Sequence, residues 1–173
     1  MFDNLKADIG RHRSLGAGVF DLLFIQGVWA VVVYRFGQWA RRIKIPLLGF
    51  LMRLLAFFLF KLIEITTGIS VPSSAVIGKG FYIGHFGGIV LHSEVTMGEN
   101  CSIGPGVLIG TRGSGNKGVP ALGNNVYIGV GAKILGGITI GDHAKIGANA
   151  VVLNNVPQGA TAVGIPAKIL SKK

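Results

Sequence analysis

Among the side chains of this sequence that can move a proton, His85 has the most informative position. It follows Ile83 and Gly84 in a stretch where a six-residue spacing of aliphatic residues is interrupted before Leu91. Imidazole exchanges its proton near neutral pH, which suits a general base. A second interruption, at residues 111–120, is polar and rich in glycine. Loops on a rigid scaffold tend to carry function, so chemistry is expected at these two interruptions.

A repeat surrounds both interruptions and must position them. An aliphatic residue returns every six positions and is usually followed by a small one, at Ile77, Ile83, Ile89, Leu91, Met97, Ile103, Ile109, Ile128, Ile134, Ile140, Ile146 and Val152. Such hexads predict a parallel β-helix in which each hexad forms one flat side of a triangular coil. The aliphatic residue points inward, and the small residue permits the corner. Several coils must stack, because no single coil buries its own apolar side.

Two apolar runs, residues 15–34 and 45–63, precede the repeats. Both are close to the length of a bilayer span, but Asp21 and Gln26 interrupt the first and Arg53 interrupts the second. A central charge costs about 2.5–3.5 kcal/mol on insertion scales. The pattern therefore favours helices that lie in the membrane interface or re-enter it. A spanning hairpin and a helical subdomain buried in an oligomer interface stay open as alternatives.

The distribution of charge supports a lipid surface as the partner of these runs. The net charge is +10, and Arg35, Arg41, Arg42 and Lys44 lie next to or between the runs. This placement indicates an anionic lipid surface at the cytoplasmic face of the inner membrane, with peripheral or re-entrant attachment, and argues against nucleic acid. A single cysteine, Cys101, provides neither a disulfide framework nor a metal quartet, and we predict no metal site.

Three stretches carry a family resemblance: Ile77–His85, which reads Ile-Gly-Lys-Gly-Phe-Tyr-Ile-Gly-His, Gly129–Gly136, and the ending Ala162–Lys168. With them, the chain from about Ile69 to Ser171 resembles the hexapeptide-repeat acyltransferases, in particular the serine acetyltransferase-like branch. The resemblance implies a mainly β fold, a left-handed parallel β-helix preceded by an N-terminal hydrophobic α-helical segment. It also implies a homotrimer that binds acetyl-CoA. We expect a membrane-associating helical segment at 1–68 and an acyltransferase domain at 69–173 with an extruded loop at 111–125.

The same resemblance assigns roles to individual residues. His85 matches the family's general base, which takes the proton of an acceptor hydroxyl so that the alkoxide attacks the thioester. The residues expected beside acetyl-CoA are Gly110, Thr111, Arg112, Gly131, Ala132, Gly147, Ala148 and Lys168. The small residues would let pantetheine amides reach the backbone, and the lysine would pair with a phosphate. The group that orients His85 stays open among Glu94, Glu64, Ser70 and a backbone carbonyl.

Three positions depart from the pattern of the serine enzymes. Gly84 stands where those enzymes carry an aspartate before the histidine, and the upstream region that carries their second aspartate offers Ile69 and Ser70. Gly118-Val119-Pro120 stands where an arginine–histidine–proline segment grips the amino acid. A site without these partners is expected to bind serine poorly. We therefore predict an acetyl-CoA-dependent O-acetyltransferase that acts on a sugar hydroxyl of a polysaccharide or lipid-linked glycan precursor at the cytoplasmic membrane face.

Two other functions stay open at this point. A serine O-acetyltransferase would need other basic residues to hold the serine carboxylate. The other is a non-catalytic or metal-binding β-helix trimer. A metal-binding one, such as a γ-type carbonic anhydrase, would need three zinc-binding histidines, two of them from one subunit in close repeat spacing. His85, His92 and His143 do not match that spacing.

Overall fold

The structure is a computed structural model that describes residues 2–113, 115 and 118–170. Three helices come first: α1 (Phe2–Ser14), α2 (Gln26–Ala40) and α3 (Pro46–Thr67), with a short 3-10 turn at Asp21–Leu23. The strands that follow are β1 (Ile69–Ser70), β2 (Val76–Ile77), β3 (Tyr82–Ile83), β4 (Ile89–Leu91), β5 (Thr96–Met97), β6 (Ser102–Ile103), β7 (Leu108–Gly110), β8 (Ala121–Leu122), β9 (Tyr127–Ile128), β10 (Lys133–Leu135), β11 (Thr139–Ile140), β12 (Lys145–Ile146), β13 (Val151–Val152), β14 (Thr161–Val163) and β15 (Lys168–Leu170).

The strands form the three flat sides of a triangular β-helix. Their orders are β1-β4-β7-β10-β13, β11-β8-β5-β2 and β15-β14-β12-β9-β6-β3, so successive coils add one strand to each side. The pairings are parallel except for β14 with β15, which is antiparallel. The aliphatic residues of the hexads stack in register inside the coil, as in the column Ile83, Ile103, Ile128 and Ile146. The prediction of a left-handed β-helix behind an N-terminal helical segment is confirmed.

The corners repeat from coil to coil as regularly as the strands do. Asn100, Asn125 and His143 occupy one corner in successive coils, each with a positive φ of 56–59°. Their backbone N–H groups donate to the carbonyl oxygens of Lys79, Glu99 and Asn124 in the preceding coils, at 2.7–2.8 Å. Asparagine tolerates this left-handed conformation better than most residues. His143 is thus an exposed residue of a structural corner.

The extruded loop is shorter than predicted. It leaves the coil after β7 and returns at Pro120, because Ala121 and Leu122 already pair with Thr96 and Met97 as strand β8. Residues 123–125, which the prediction also placed in the loop, form the next corner. The loop residues Ser114, Asn116 and Lys117 lie outside the described part of the chain.

Helices α1 and α2 cover the open end of the β-helix. Strands β1, β2 and β3 are the terminal strands of their sheets and would otherwise present unpaired backbone groups. Arg35 of α2 donates to the carbonyl oxygens of Ile77 (2.8 Å) and Gly78 (2.6 Å), and the Asp8 carboxylate of α1 accepts the N–H of Phe81 (2.8 Å). Asp8 and Arg35 also pair with each other at 2.8 Å, and both side chains are 1% exposed. The first coil is therefore closed by buried side chains instead of another strand.

Tyr34 contributes to the same closure, which leads to a stability prediction. Its hydroxyl donates to the carbonyl oxygen of Ala75 (2.9 Å) and accepts the backbone N–H of Ile77 (3.1 Å) and the side-chain amide of Gln38 (2.7 Å). We expect Tyr34→Phe to lower the free energy of unfolding by about 1–3 kcal/mol, because it leaves a buried N–H without its partner. Urea unfolding measures this, with the exposed Tyr127→Phe as the matched control. Equal losses in the two variants would contradict the prediction.

Tyr34 also gives the stability a dependence on alkaline pH. Burial is the main cause that raises the pKa of Tyr34 from 10.0 to about 12. In the unfolded chain this phenol ionises near its ordinary pKa, while the folded chain keeps it neutral. Its contribution to stability is therefore complete below about pH 10 and is lost as the pH rises towards about 12. In the Tyr34→Phe variant, the free energy of unfolding should fall less between about pH 10 and about pH 12 than it does in the wild type.

The two apolar runs of the sequence adopt different secondary structures. The first, residues 15–34, is not one helix: it begins as a loop with the Asp21–Leu23 turn, and only its second half belongs to α2. Asp21 accepts the N–H of Gly18 at 2.8 Å, which stabilises the turn before the helix. The second run is helix α3, whose length and mean hydropathy of 2.0 suffice for a membrane span. Expecting a span-length element in both runs was therefore wrong for the first.

Candidate active site

His85 lies on a rigid corner between β3 and β4. Gly87 and Gly88 turn the chain there with φ of 104° and 64°, values that favour glycine. The N–H of Gly87 donates to the carbonyl oxygen of Thr67 (3.0 Å), and the carbonyl oxygen of Gly87 accepts the N–H of Gly106 (2.8 Å). The His85 side chain is exposed and makes no hydrogen bond or ion pair with the described residues. The imidazole is thus held out from a fixed backbone, free to meet a ligand.

The phenol of Tyr82 occupies the space beside Gly84. A Cβ atom at Gly84 would lie 2.7 Å from the Tyr82 hydroxyl oxygen, so a larger residue could not stand there without moving the ring. The ring of buried His12, from α1, packs against Tyr82 with 4.5 Å between ring centroids. The Tyr82 hydroxyl has no hydrogen-bond partner among the described residues. Sequence reasoning missed this polar group next to His85, although Gly84 signalled that something else fills the space.

A carboxylate lies next to Ser70, in the region where the serine enzymes carry their upstream aspartate. Ser70 donates its hydroxyl to Glu64 of α3 at 2.7 Å, and Lys61 pairs with the other carboxylate oxygen at 2.6 Å. These hydrogen bonds, Lys61 first, hold the pKa of Glu64 below its usual value. The other candidate for orienting the base, Glu94, contributes only its backbone N–H, which donates to Nδ1 of His92 at 3.2 Å. None of the proposed orienting groups is bonded to His85.

Several residues expected beside acetyl-CoA share one edge of the β-helix with His85. We define the histidine edge as the stacked corners 84–88, 104–107, 129–132 and 147–150. Gly131 lies directly below Gly106, with a φ of 73°, and the next corner carries Gly147 and Ala148. Ala132 does not fit the prediction, because its methyl group is fully buried and its carbonyl oxygen accepts the N–H of Leu108. It is a core residue and cannot face a cofactor.

Lys168 is close to the lower part of this edge. Strand β15 places it opposite Val163, and a Cβ atom at Gly147 would lie 2.8 Å from a methyl carbon of that valine. The lysine is exposed. Gly147, Ala148 and Lys168 therefore form one open surface that a phosphate-bearing ligand can reach.

The remaining cofactor residues lie on a different edge. We define the loop edge as residues 92–95, 110–113, 118–120 and 136–138. It carries a cleft of about 440 Å³ whose lining includes His92, Ser93, Gly110 and Thr111. Arg112 is exposed beside it. His85 does not line this cleft, so the structure of one chain does not bring the predicted base together with Gly110, Thr111 and Arg112.

A single strip of sheet separates the two edges. The outward residues of this sheet stack in register as Ser70, Val90, Leu108, Lys133 and Val151. Lys133 is half-buried and donates to the carbonyl oxygen of Gly106 on the histidine edge. Within residues 2–113, 115 and 118–170, no group of three or more metal-binding side chains comes together.

Comparison with known proteins places this site in a family. Residues 120–154 match the model of the bacterial transferase hexapeptide (six repeats). The chain is 39% identical to a serine acetyltransferase of Helicobacter pylori over 152 residues, which is 87% of this chain and 85% of that protein. Soybean serine acetyltransferase, solved as the apoenzyme, superposes with a TM-score of 0.84 at 33% identity, covering 97% of this chain and 68% of that one. A serine acetyltransferase solved in complex with CoA gives a TM-score of 0.80 at 35% identity, covering 97% and 68%.

These similarities correct one expectation and confirm others. The prediction of a sugar or lipid-linked glycan acceptor was wrong, because the relatives that match over most of the chain are serine acetyltransferases. The predicted enzyme class, an O-acetyltransferase that uses acetyl-CoA, is confirmed. With its hexapeptide coils, its histidine at the first interruption and its similarity over nearly the whole length, the chain belongs to the serine acetyltransferase family of hexapeptide-repeat acyltransferases.

Proposed function

We propose that the protein is a serine O-acetyltransferase, which transfers the acetyl group of acetyl-CoA to the hydroxyl of L-serine. The observation that carries the proposal is the 39% identity to a serine acetyltransferase of which this chain covers 85%. Identity of this extent involves the helices as well as the coils. This identity is stronger evidence that the acceptor is serine than the three differences from the serine enzymes are evidence against it.

The chemistry requires one base and a positioned thioester. His85 accepts the proton of the serine hydroxyl, and the serine oxygen attacks the acetyl carbonyl carbon. A C–O bond forms, the C–S bond breaks, and the proton passes from His85 to the sulfur of the departing CoA. The products are O-acetylserine and CoA. The exposed imidazole of His85 suits this role, because no group among the described residues competes for its nitrogen atoms.

We place acetyl-CoA between two protomers of a homotrimer. In a single chain the histidine edge and the loop edge are separated by the strip from Ser70 to Val151. Trimer packing, as the hexapeptide family implies, would set the histidine edge of one protomer against the loop edge of the next. Gly131, Gly147 and Lys168 would then face Gly110 and Thr111 across one groove.

Tyr82 is proposed to contact the acceptor at the position that aspartate holds in the serine enzymes. Its free hydroxyl lies over Gly84, directly before the base. We expect Tyr82→Phe to lower kcat/KM for L-serine about two- to tenfold, mainly through KM, because one hydrogen bond to the substrate is lost. The matched control is Tyr127→Phe, which removes an exposed hydroxyl from β9. An unchanged KM in Tyr82→Phe would exclude this contact.

The experiment for the function measures CoA release with a thiol reagent. L-serine should support saturable release that yields O-acetylserine by mass spectrometry, while D-serine and free hexoses should give only the background rate. The proposal fails if millimolar L-serine gives no release above background from protein that still binds CoA.

A further inference from the structure

Helix α3 presents its large apolar side chains to the outside. The residues that face α2 and the coil are Gly49, Ala56, Ile63 and Thr67, mostly small. The large apolar residues on the remaining surface of the helix are between 42% and 81% exposed: Leu47, Leu48, Phe50, Leu51, Leu54, Leu55, Phe57, Phe58, Leu62 and Ile65. A surface helix in water normally has the opposite arrangement. Small residues at the helix contact and large apolar residues outside are typical of helices in lipid.

The width of this surface indicates what covers it. At 3.6 residues per turn, the ten exposed residues spread over about half of the helix circumference. A contact with one partner helix needs a narrower stripe, as in the seam of a coiled coil. A fluid acyl-chain phase covers a broad convex surface without a complementary shape. The geometry of α3 therefore fits lipid better than a second copy of the chain.

Unpaired basic residues border the apolar surface. Arg41, Arg42 and Lys44 are exposed in the turn between α2 and α3. Arg41 and Arg53 line a cavity of about 250 Å³ between the two helices and residues 71–74 of the coil, together with Phe57 and Phe60. Neither guanidinium has a hydrogen bond or ion pair with the described residues. Two guanidinium groups that share a cavity with apolar side chains form a site suited to a phosphate that carries apolar chains.

We propose that α3 docks on an anionic phospholipid bilayer, with its outward face among the acyl chains and Arg41 and Arg53 at lipid phosphates. Arg53 lies near the middle of α3, and a charge there opposes a complete crossing. The other side of the helix is occupied by α2 and by strand β1. The helix therefore lies in the interface, parallel to the membrane, and the β-helix stays in water.

Vesicle flotation of the full-length protein tests the proposal. Wild-type protein should float with phosphatidylcholine vesicles that contain phosphatidylglycerol and much less with phosphatidylcholine alone. Leu51→Glu/Phe58→Glu should abolish flotation, and Arg41→Gln/Arg53→Gln should reduce partitioning about fivefold for each charge removed. The matched controls are Val76→Glu, an exposed apolar position on β2, and Lys79→Gln/Lys145→Gln, which removes two exposed charges from the coil. The controls should float like wild type.

Two outcomes would overturn the proposal. One is wild-type protein that stays at the bottom of the gradient with both vesicle types while Leu51→Glu/Phe58→Glu lowers its oligomeric mass, since the surface is then a contact between copies. The other is flotation of that variant at the wild-type level. CoA release with L-serine, measured on the same preparations, should be retained in all these variants, so a failure to dock is distinguishable from a failure of the proposed catalysis.

Discussion

Replacement of His85 by asparagine is expected to lower kcat for acetyl transfer by about 10²–10⁴-fold while the fold is retained. Asparagine fills a similar volume but cannot take the proton of the acceptor hydroxyl. The backbone of this corner is held by hydrogen bonds of Gly87 to Thr67 and Gly106, and these do not involve the imidazole. The loss should therefore appear in the chemical step, with little change in the affinity for CoA.

The matched control is His143→Asn. His143 is exposed and occupies the corner where Asn100 and Asn125 stand in the preceding coils, so asparagine fits its positive φ. Stopped-flow or steady-state CoA release, together with thermal unfolding, compares the two variants. Activity of His85→Asn within a few-fold of wild type would exclude His85 as the base. Equal losses in both variants would point to a general effect of removing a histidine.

The Asp8→Ala variant is expected to lose about 3–5 kcal/mol of unfolding free energy. The change leaves the guanidinium of Arg35 buried without its partner and the N–H of Phe81 without an acceptor. Most of the loss is the cost of an uncompensated charge in a buried position, not the intrinsic strength of the pair. Urea unfolding followed by circular dichroism measures it.

Glu99→Ala provides the control for Asp8→Ala. Glu99 pairs with Lys79 at 3.6 Å, and both side chains are about half exposed, so its removal should cost no more than about 1 kcal/mol. A loss in Asp8→Ala as small as that of Glu99→Ala would show that the Asp8–Arg35 pair does not close the end of the coil. The double variant Asp8→Ala/Arg35→Met should recover part of the loss, because it removes the buried charge as well.

The β-helix could be predicted from the sequence because its information is local. Each inward position, such as Ile128 or Ile134, repeats at a fixed interval, and the interval itself defines the coil. The same regularity made His85 visible, since an interruption stands out against a strict period. The cofactor residue Ala132 was assigned wrongly because the position two residues before each inward aliphatic residue is buried as well, as Val107 and Ala150 show in the neighbouring coils.

The arrangement of the helices and the identity of the acceptor could not be predicted in this way, because both depend on contacts between residues far apart in the sequence. The position of Tyr82 over Gly84 depends on His12, which α1 brings from the far end of the sequence. The apolar character of residues 15–34 predicted one continuous helix and gave no sign of the turn that Asp21 and Gly18 form. The acceptor was predicted from missing side chains, but other groups can take their places, as Glu64 does beside Ser70. Absence of a familiar group is weak evidence when the surrounding fold can supply a substitute.

The closure of the first coil by α1 and α2 also determines how far the molecule can grow. A stack of parallel coils with an open end is a template for further strands, because each exposed N–H and carbonyl can pair with another chain. The side chains of Asp8, Tyr34 and Arg35 form hydrogen bonds with these backbone groups. A side chain has no further backbone N–H or carbonyl to pair with the next strand, so the ladder ends there. A chain cut before residue 69 would expose these groups again, and two such chains are expected to pair at their open first coils. The helical layer thus protects the first coil from pairing with the backbone of another chain.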